Sequence, residues 1–124
     1  MNYSSEVRQH FLSPYGAGVF DRSSLGVVSG EASDRTLNVW ACFQVQVVDG
    51  VISSSRFQVF GCPHTLAAAS WVSEWLEGQP AIVLRQLNVR SLADTLEVPI
   101  EKFGKLLLIE DALLGCAQAL EGTI

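Results

Sequence analysis

The feature that most constrains the fold is a strand-to-helix corner in residues 56–78, R-F-Q-V-F-G-C-P-H-T-L-A-A-A-S-W-V-S-E-W-L-E-G. The alternating residues before Gly61 predict the end of a strand, and Gly61 permits the tight turn that follows. Pro63 suits the first position of a helix, where no amide hydrogen is required. The pattern therefore predicts a helix over about 64–76, with Cys62 at the tip of the turn.

Cys62 directly precedes the free N–H groups at the start of this predicted helix. Those groups carry roughly half a positive charge, which favours thiolate over thiol at neutral pH. A cysteine in that position is suited to accepting sulfur or to binding a soft metal ion. Free cysteines are also common as small buried hydrophobic residues. The local pattern leaves a reactive thiol and a packing residue equally open.

The segment before this corner predicts an antiparallel meander of three strands. Residues 39–47, V-W-A-C-F-Q-V-Q-V, alternate in a way that is typical of a strand with one covered face. Asp49-Gly50 predicts a tight hairpin turn, and residues 51–60 then form the return strand. The last strand of the meander thus delivers Cys62 to one end of the sheet.

The expected covered face of this sheet is formed by alternate residues of its two longer strands: Val39, Ala41, Phe43, Val45 and Val47, then Val51, Phe57 and Val59. Cys42 falls on the opposite face, where a structural role is favoured. We interpret the polar run 53–55 as the solvated part of its strand. Residues 25–29 predict the first strand, and the polar segment 30–38 predicts a loop.

Helical patterns occur on both sides of the predicted sheet. Residues 4–12 predict a short helix with Ser4 as its N-cap. After residue 80 the chain consists of helical pieces, for which Ser91 and Asp94 are the candidate caps. A last helix is expected over 105–121, because its apolar residues recur at helical spacing and form one face to lie on the sheet.

Histidines and tryptophans in these helices have a structural and a functional interpretation. We expect His10 to be a surface or packing residue rather than a ligand, and the pair Trp71 and Trp75 to belong to the core rather than to a ligand box. His64 follows Cys62 by two residues. This spacing is weak evidence for a metal pair, and a histidine at a helix start that makes a local hydrogen bond is the favoured interpretation.

Length and charge limit the class of protein. The 124 residues suffice for one domain with a hydrophobic core, so we predict a single domain over residues 1–124. The chain is 48% hydrophobic and 17% charged, with a net charge of −5. Its eight basic residues are scattered, whereas nucleic-acid binding requires clustered Lys and Arg. We therefore expect no nucleic-acid partner.

The cysteine pattern and the N-terminal stretch bear on the compartment. The chain has three cysteines with no C-x-x-C pair, and the odd number argues against a disulfide framework. Cys116 lies near the apolar stripe of the last helix and is expected in the core. Residues 1–10 lack the features of a signal or transit peptide, and no stretch approaches the ~20 apolar residues that span a bilayer. We expect a cytoplasmic protein with no membrane partner.

Four stretches of the chain match one recognisable pattern. They are Y-S-S-E-V-R-Q-H-F-L-S-P-Y-G-A-G-V-F (3–20), V-D-G-V-I (48–52), R-F-Q-V-F-G-C running into A-A-A-S-W-V-S-E-W-L-E-G (56–62 and 67–78), and I-E-D-A-L (109–113). Together they resemble the iron–sulfur cluster assembly scaffolds of the IscU and NifU N-terminal family. The similarity covers nearly the whole chain, and its specificity comes from the combination of the four stretches.

The resemblance implies a compact α+β domain, with a three-stranded antiparallel sheet packed against helices, as in IscU and SufE. We therefore expect that this chain is not an enzyme. Members of this family receive sulfur from a cysteine desulfurase, build a 2Fe–2S cluster and pass it on with an Hsp70-type chaperone. Their ligands come from three loops with one cysteine each, an aspartate after the first and a histidine beside the third. Thiolates suit this task because they are soft ligands for iron.

The chain keeps one of the three ligand cysteines that the resemblance implies, Cys62. The first cysteine position falls on Leu37, and the aspartate position falls on Val39. The His-Cys pair of the third loop falls on Gly104-Lys105. The chaperone-docking segment is represented by V-P-I-E-K at 98–102, which keeps one proline and the lysine and makes an Hsp70-type partner doubtful.

These departures shape the functional hypothesis. A cluster needs about four protein ligands, and one chain offers Cys62 with His64 as a distant second candidate. We expect no stable cofactor on the monomer. We expect instead that Cys62 accepts or relays persulfide sulfur from a cysteine desulfurase, in the manner of the SufE-type acceptors. Lys105 would favour the thiolate if it lies beside Cys62, and its alternative is a solvated lysine at a helix start.

Three alternatives remain open. The first is a non-catalytic interaction protein that binds the desulfurase or another assembly partner through the retained scaffold surface. The second is residual binding of iron or zinc by Cys62 and His64 with outside ligands. The third is a homodimer in which two Cys62 residues bridge a cluster.

Overall fold

The computed structural model describes residues 3–21 and 24–122. Met1 and Asn2, which belong to the N-terminal stretch considered above, lie outside the described residues. The elements follow in this order: α1 (Ser5–Leu12), β1 (Val27–Asp34), β2 (Val39–Val48), β3 (Val51–Phe60), α2 (Pro63–Leu76), a 3₁₀ helix (Ala81–Arg85), α3 (Val89–Leu96), a second 3₁₀ helix (Ile100–Lys102) and α4 (Phe103–Gly122). None of the helices in this part of the chain combines the length and apolar character needed to cross a bilayer.

The strands form one antiparallel sheet in the order β1-β2-β3, which confirms the α+β meander. The helices α4 and α2 cover the sheet, with α4 on β1 and β2 and α2 on β3, while α1 packs on α2. The alternation of β2 is as predicted, because Val39, Ala41, Phe43 and Val45 are buried and Cys42 is half-buried on the other face. The core therefore lies between one face of the sheet and the helices.

The hairpin between β2 and β3 has the predicted turn and an irregular strand. Asp49 and Gly50 both adopt positive φ, at 53° and 77°, as a tight hairpin turn requires. Consecutive residues of β2 pair with Ser54 and Ile52, so Ser53 is an extra residue in a β-bulge. The bulge reverses the alternation. As a result Ile52 is buried, Val51 is 41% exposed, and the prediction of Val51 on the covered face was wrong.

The same bulge brings a serine into the core, so the prediction of a solvated run over 53–55 was wrong at Ser55. Ser55 is fully buried. Its hydroxyl lies 2.6 Å from the Ser73 Oγ and donates to the Ser73 carbonyl at 2.8 Å. Its N–H donates to Oε2 of Glu77 at 3.1 Å. These bonds satisfy the polar atoms that burial would otherwise leave without partners and tie β3 to α2.

The first strand is longer than predicted. β1 extends from Val27 to Asp34 and pairs with β2 along its whole length, so the expected loop over 30–38 was wrong for residues 30–34. The polar composition of this segment suits an edge strand with alternating exposure. The cap of α3 also differs from the prediction, because the Asn88 side chain accepts from the Ser91 N–H at 3.0 Å. At α1, Ser4 is the N-cap as predicted.

The outer edge of β3 is occupied by the segment after α1. Phe57 donates its N–H to the Gly16 carbonyl at 2.9 Å, and its own carbonyl accepts from the Gly18 N–H at 2.9 Å. Gly16 and Gly18 have φ of 84° and 129°, conformations that favour glycine. The segment is thus held against the sheet as a short parallel addition at Ala17.

The helix α4 lies on β1 at backbone contact distance. A Cβ added at Gly30 would be 2.2 Å from the Ala112 carbonyl oxygen and 2.4 Å from the Cys116 nitrogen. Cys116 is fully buried, as predicted, and its thiol donates to the Phe43 carbonyl at 3.3 Å. Burial, with a smaller contribution from nearby Cys42, raises the pKa of Cys116 to about 12.

We predict that Gly30→Ala lowers the free energy of unfolding by about 3 kcal/mol, because the added methyl forces α4 away from β1. Urea denaturation measures the effect. Gly122→Ala is the matched control, since a Cβ there meets no atom within 4 Å, and it should change stability by less than about 0.5 kcal/mol. Equal stability of the two variants would contradict the close contact.

Candidate functional site

Three segments of the chain meet at one end of the sheet. They are the turn between β1 and β2, the corner between β3 and α2, and the start of α4. The Leu37 Cδ1 lies 3.5 Å from the position that a Cβ on Gly104 would occupy. The charge of Lys105 acts on the Cys62 thiol. The structure therefore brings together Cys62 and the residues at the first and third ligand positions suggested by the sequence.

The corner itself places Cys62 at the N-cap of α2, with extended backbone angles of −84° and 170°, and Pro63 follows within the first turn. Gly61 leaves little room for a side chain at this corner. A Cβ on Gly61 would lie 3.1 Å from the Cβ and the hydroxyl of Thr65. The N–H of Thr65 in turn donates to the Cys62 carbonyl at 2.9 Å and closes the first helical turn.

The Cys62 thiol is half-buried and surrounded by groups that favour its anion. Burial acts to raise its pKa, but the Thr65 hydroxyl, the N–H groups of Thr65 and His64, and the Lys105 ammonium together lower the pKa below its ordinary value. The sulfur lies 3.5 Å from the Thr65 hydroxyl oxygen. The two amides act as nearby partial positive charges rather than through a directed capping bond. Cys62 is thus suited to act as a nucleophile.

The pKa of each of the other two cysteines is raised rather than lowered. Burial, followed by the charge of Glu31, raises the pKa of Cys42. Cys116 is fully buried in the core, and its thiol donates a hydrogen bond to the Phe43 carbonyl. Of the three cysteines in the chain, Cys62 is the one with a lowered pKa.

His64 is 3% exposed, and its ring packs edge-on against Tyr3 with centroids 4.8 Å apart. Its Nδ1 has no hydrogen-bond partner among the described residues, which differs from the local hydrogen bond expected of a histidine at a helix start. Burial and the charges of Lys102 and Lys105 lower its pKa, so the ring is neutral at pH 7. His64 is a packing residue at this corner that adds its backbone amide to the thiol environment.

Two of the positions at which the sequence predicts lost ligands have structural roles. Val39 is 3% exposed and belongs to the core. Leu37 is half-buried, and its N–H donates to Asp34 Oδ1 at 3.0 Å. Within residues 3–21 and 24–122, no group of three or more His, Cys, Asp or Glu side chains is arranged to hold a metal ion.

Thr65 is a candidate site residue that the sequence interpretation missed. It lies three residues after Cys62, at the position where a side chain of an ordinary N-terminal capping motif meets the cap residue. That spacing was the available signal. Here its hydroxyl and its amide both act on the sulfur.

The remaining candidates lie at the other end of α2. His10 is 7% exposed and its Nδ1 bonds the Ser70 hydroxyl at 2.8 Å, which agrees with the predicted packing role. Trp71 and Trp75 pack against the edge of the core and are half-buried. The prediction that they belong to the core was thus met in part.

Comparisons with known proteins identify the family to which this chain is similar. The family model of the NifU-like N terminal domain matches residues 2–122. The iron–sulfur cluster assembly scaffold protein IscU of Escherichia coli K12 is 32% identical over 114 residues, which cover 91% of this chain and 89% of that protein.

Two solved structures share the fold. A NifU-like protein (N-terminal) from Brucella abortus matches with a TM-score of 0.73 and 15% identity, covering 98% of this chain and 95% of that one. A candidate iron–sulfur cluster assembly scaffold protein for the SUF system from Fervidobacterium islandicum matches with a TM-score of 0.64 and 14% identity, covering 95% and 96%. These two likenesses establish the three-dimensional arrangement alone.

We predict that Lys105→Met raises the pKa of Cys62, because it removes a positive charge that stabilises the thiolate. At pH 7 the thiolate fraction falls, so alkylation of Cys62 by iodoacetamide slows and the midpoint of its rate–pH profile moves upward. Mass spectrometry of the peptide that contains Cys62 measures the rate. Lys102→Met is the control and should leave the midpoint in place; a profile unchanged by Lys105→Met would contradict the assignment.

Proposed function

The chain belongs to the family of NifU-like N-terminal domains, and from that premise we propose that it serves iron–sulfur cluster assembly by accepting persulfide sulfur on Cys62. The observation that carries the proposal is the single cysteine with a lowered pKa, at the corner where three segments meet. The protein acts in this proposal as a carrier and not as an enzyme. Its sulfur donor is a cysteine desulfurase.

The transfer step needs no external oxidant. The Cys62 thiol loses its proton to solvent, and the thiolate attacks the outer sulfur of a donor cysteine persulfide. A bond forms between the Cys62 Sγ and that sulfur, while the sulfur–sulfur bond of the donor breaks. The donor cysteine leaves as a thiolate with the electron pair of the broken bond. The new persulfide on Cys62 is anionic, so the same positive groups that stabilise the thiolate also stabilise it.

The same residues explain why sulfur rather than a complete cluster is the proposed cargo. A cluster held by one chain needs about four ligands, usually thiolates. The positions around Cys62 are filled by Leu37, Gly104 and Lys105. An ammonium group beside the thiolate also opposes the approach of iron cations. A cluster that bridges two Cys62 residues of a dimer, or a metal bound with outside ligands, would need groups from beyond one chain.

One observation favours a second candidate function, that of a non-catalytic interaction protein. Phe60 lies two residues before Cys62 in the chain, is 60% exposed and pairs across the sheet with the half-buried Trp40. An exposed aromatic ring beside the corner is typical of a protein–protein contact. In this alternative the chain occupies the desulfurase without receiving sulfur. Desulfurase binding by Cys62→Ala with full function in cells would favour it.

We predict that incubation with a cysteine desulfurase and cysteine adds one sulfur atom, about 32 Da, to Cys62 and that Cys62→Ser abolishes this gain. Mass spectrometry under non-reducing conditions measures the mass. Cys42→Ser is the matched control and should be labelled like the unmodified protein, because Cys42 has a raised pKa. Equal labelling of Cys62→Ser and of the unmodified protein would rule out the proposed acceptor.

We also predict that restoring ligands restores cluster binding. The combined substitutions Leu37→Cys, Gly104→His and Lys105→Cys place new ligands on segments that already meet near Cys62. After anaerobic reconstitution with iron and sulfide, the variant should hold about one 2Fe–2S cluster per chain, at least about tenfold more than the unmodified protein. Visible absorption and iron analysis measure the yield.

Adding Cys62→Ser to this variant is its control and should remove the cluster. Val39 stays unchanged in the design, because a carboxylate at that position would be buried in the core. Two results would contradict the ligand argument: equal cluster yield in the unmodified protein, or no cluster in the combined variant despite an intact fold.

A further inference from the structure

A groove between α1 and α2 lies at the other end of α2 from Cys62 and takes no part in the proposed sulfur transfer. It has a volume of about 360 Å³ and is lined by Glu6, Gln9, His10, Trp71, Glu74 and Trp75. Its lining combines aromatic rings with carboxylates and other polar groups. This combination distinguishes the groove from an apolar cleft.

One wall of the groove is an aromatic surface. Trp71 and Trp75 lie one helical turn apart on α2, and their rings stack with centroids 6.2 Å apart and planes inclined by 19°. Both indoles are half-buried against the core, so their orientation is fixed by packing. The face of an indole attracts cations through its electron-rich π system.

Negative charge flanks this wall from both helices. Glu6 belongs to the first turn of α1 and Glu74 to α2, and both side chains are exposed. Within the described ranges neither carboxylate forms an ion pair with a basic side chain. The chain as a whole carries a net charge of −5. The groove therefore complements a positively charged group.

The groove is held in shape by a buried hydrogen-bond network. The Ser70 hydroxyl oxygen accepts from the Tyr15 N–H at 2.7 Å and lies 2.8 Å from the His10 Nδ1. These bonds join α1, the segment after it and α2. A preformed site loses less conformational freedom when a ligand binds.

We propose that this groove is a docking site for an arginine side chain carried by a segment of a partner protein. A guanidinium group is planar and stacks on aromatic rings, and its five N–H donors can bond carboxylates on two sides at once. The indoles of Trp71 and Trp75 supply the stacking surface, and Glu6 and Glu74 supply the acceptors. Gln9 adds a carbonyl oxygen at the rim. This inference stands apart from the chemistry of Cys62, and its test involves no sulfur.

The test is an NMR titration of the full-length ¹⁵N-labelled protein with the peptide acetyl-Gly-Arg-Gly-amide. The indole N–H signals of Trp71 and Trp75 should shift with saturation, while the signal of Trp40 on the outer face of the sheet should stay in place. Single Trp→Phe variants assign the signals. The citrulline peptide, which keeps the shape and loses the charge, should bind about tenfold more weakly. Equal affinity for the two peptides would overturn the proposal.

Charge variants test whether peptide binding depends on the groove itself or on the overall charge of the protein. Glu6→Gln combined with Glu74→Gln should weaken binding of the arginine peptide about tenfold, and Gln9→Glu should strengthen it, because it adds a third carboxylate. Asp111→Asn on α4 is the matched control for loss of one exposed charge and should leave the affinity unchanged. Unchanged binding in the double variant, or the same loss in the Asp111 control, would also overturn the proposal. Backbone amide signals outside the groove report that each variant is folded.

Discussion

The contact between α4 and β1 is the constraint on which the site depends. Gly30 and Gly115 let the helix backbone approach the strand so closely that a Cβ on Gly115 would lie 3.1 Å from the Gly30 Cα. An α-helix is a rigid rod, so fixing its middle also fixes where its first residues lie. The contact thus determines that the start of α4, with Gly104 and Lys105, faces the turn at Leu37 and the corner at Cys62.

Positive groups surround Cys62 at the end of the sheet where these segments meet. The N-terminus of α2, the Thr65 hydroxyl and the Lys105 ammonium all favour an anion at Cys62, and Lys102 adds to the positive charge around His64. At the opposite end of α2, Glu6 of α1 and Glu74 of α2 lie beside the tryptophans. The two ends of α2 therefore lie in regions that favour ligands of opposite charge. The region around Cys62 favours an anion, and the region beside the tryptophans favours a cation.

Local patterns in the sequence predicted the corner at Cys62, the alternation of β2 and the turn at Asp49, because each depends on neighbouring residues alone. The bulge at Ser53 could not be predicted in this way. It places Ser55 in the core through bonds to Ser73 of α2 and to Glu77 at the C-cap of α2, which lie 18 and 22 positions away in the chain. The role of Thr65 depends on its distance from a sulfur, and the environment of Cys62 also includes Lys105 from a distant helix. The resemblance to the family predicted that the segments of Leu37, Cys62 and Lys105 meet, which local patterns alone could not predict.

Val39 shows how packing limits the chemistry available at one position of the site. The side chain lies on the covered face of β2 and is 3% exposed. An acidic residue here would bury a charge that lacks a compensating partner. The fold therefore restricts this position to an apolar side chain, whatever the neighbouring loops bind.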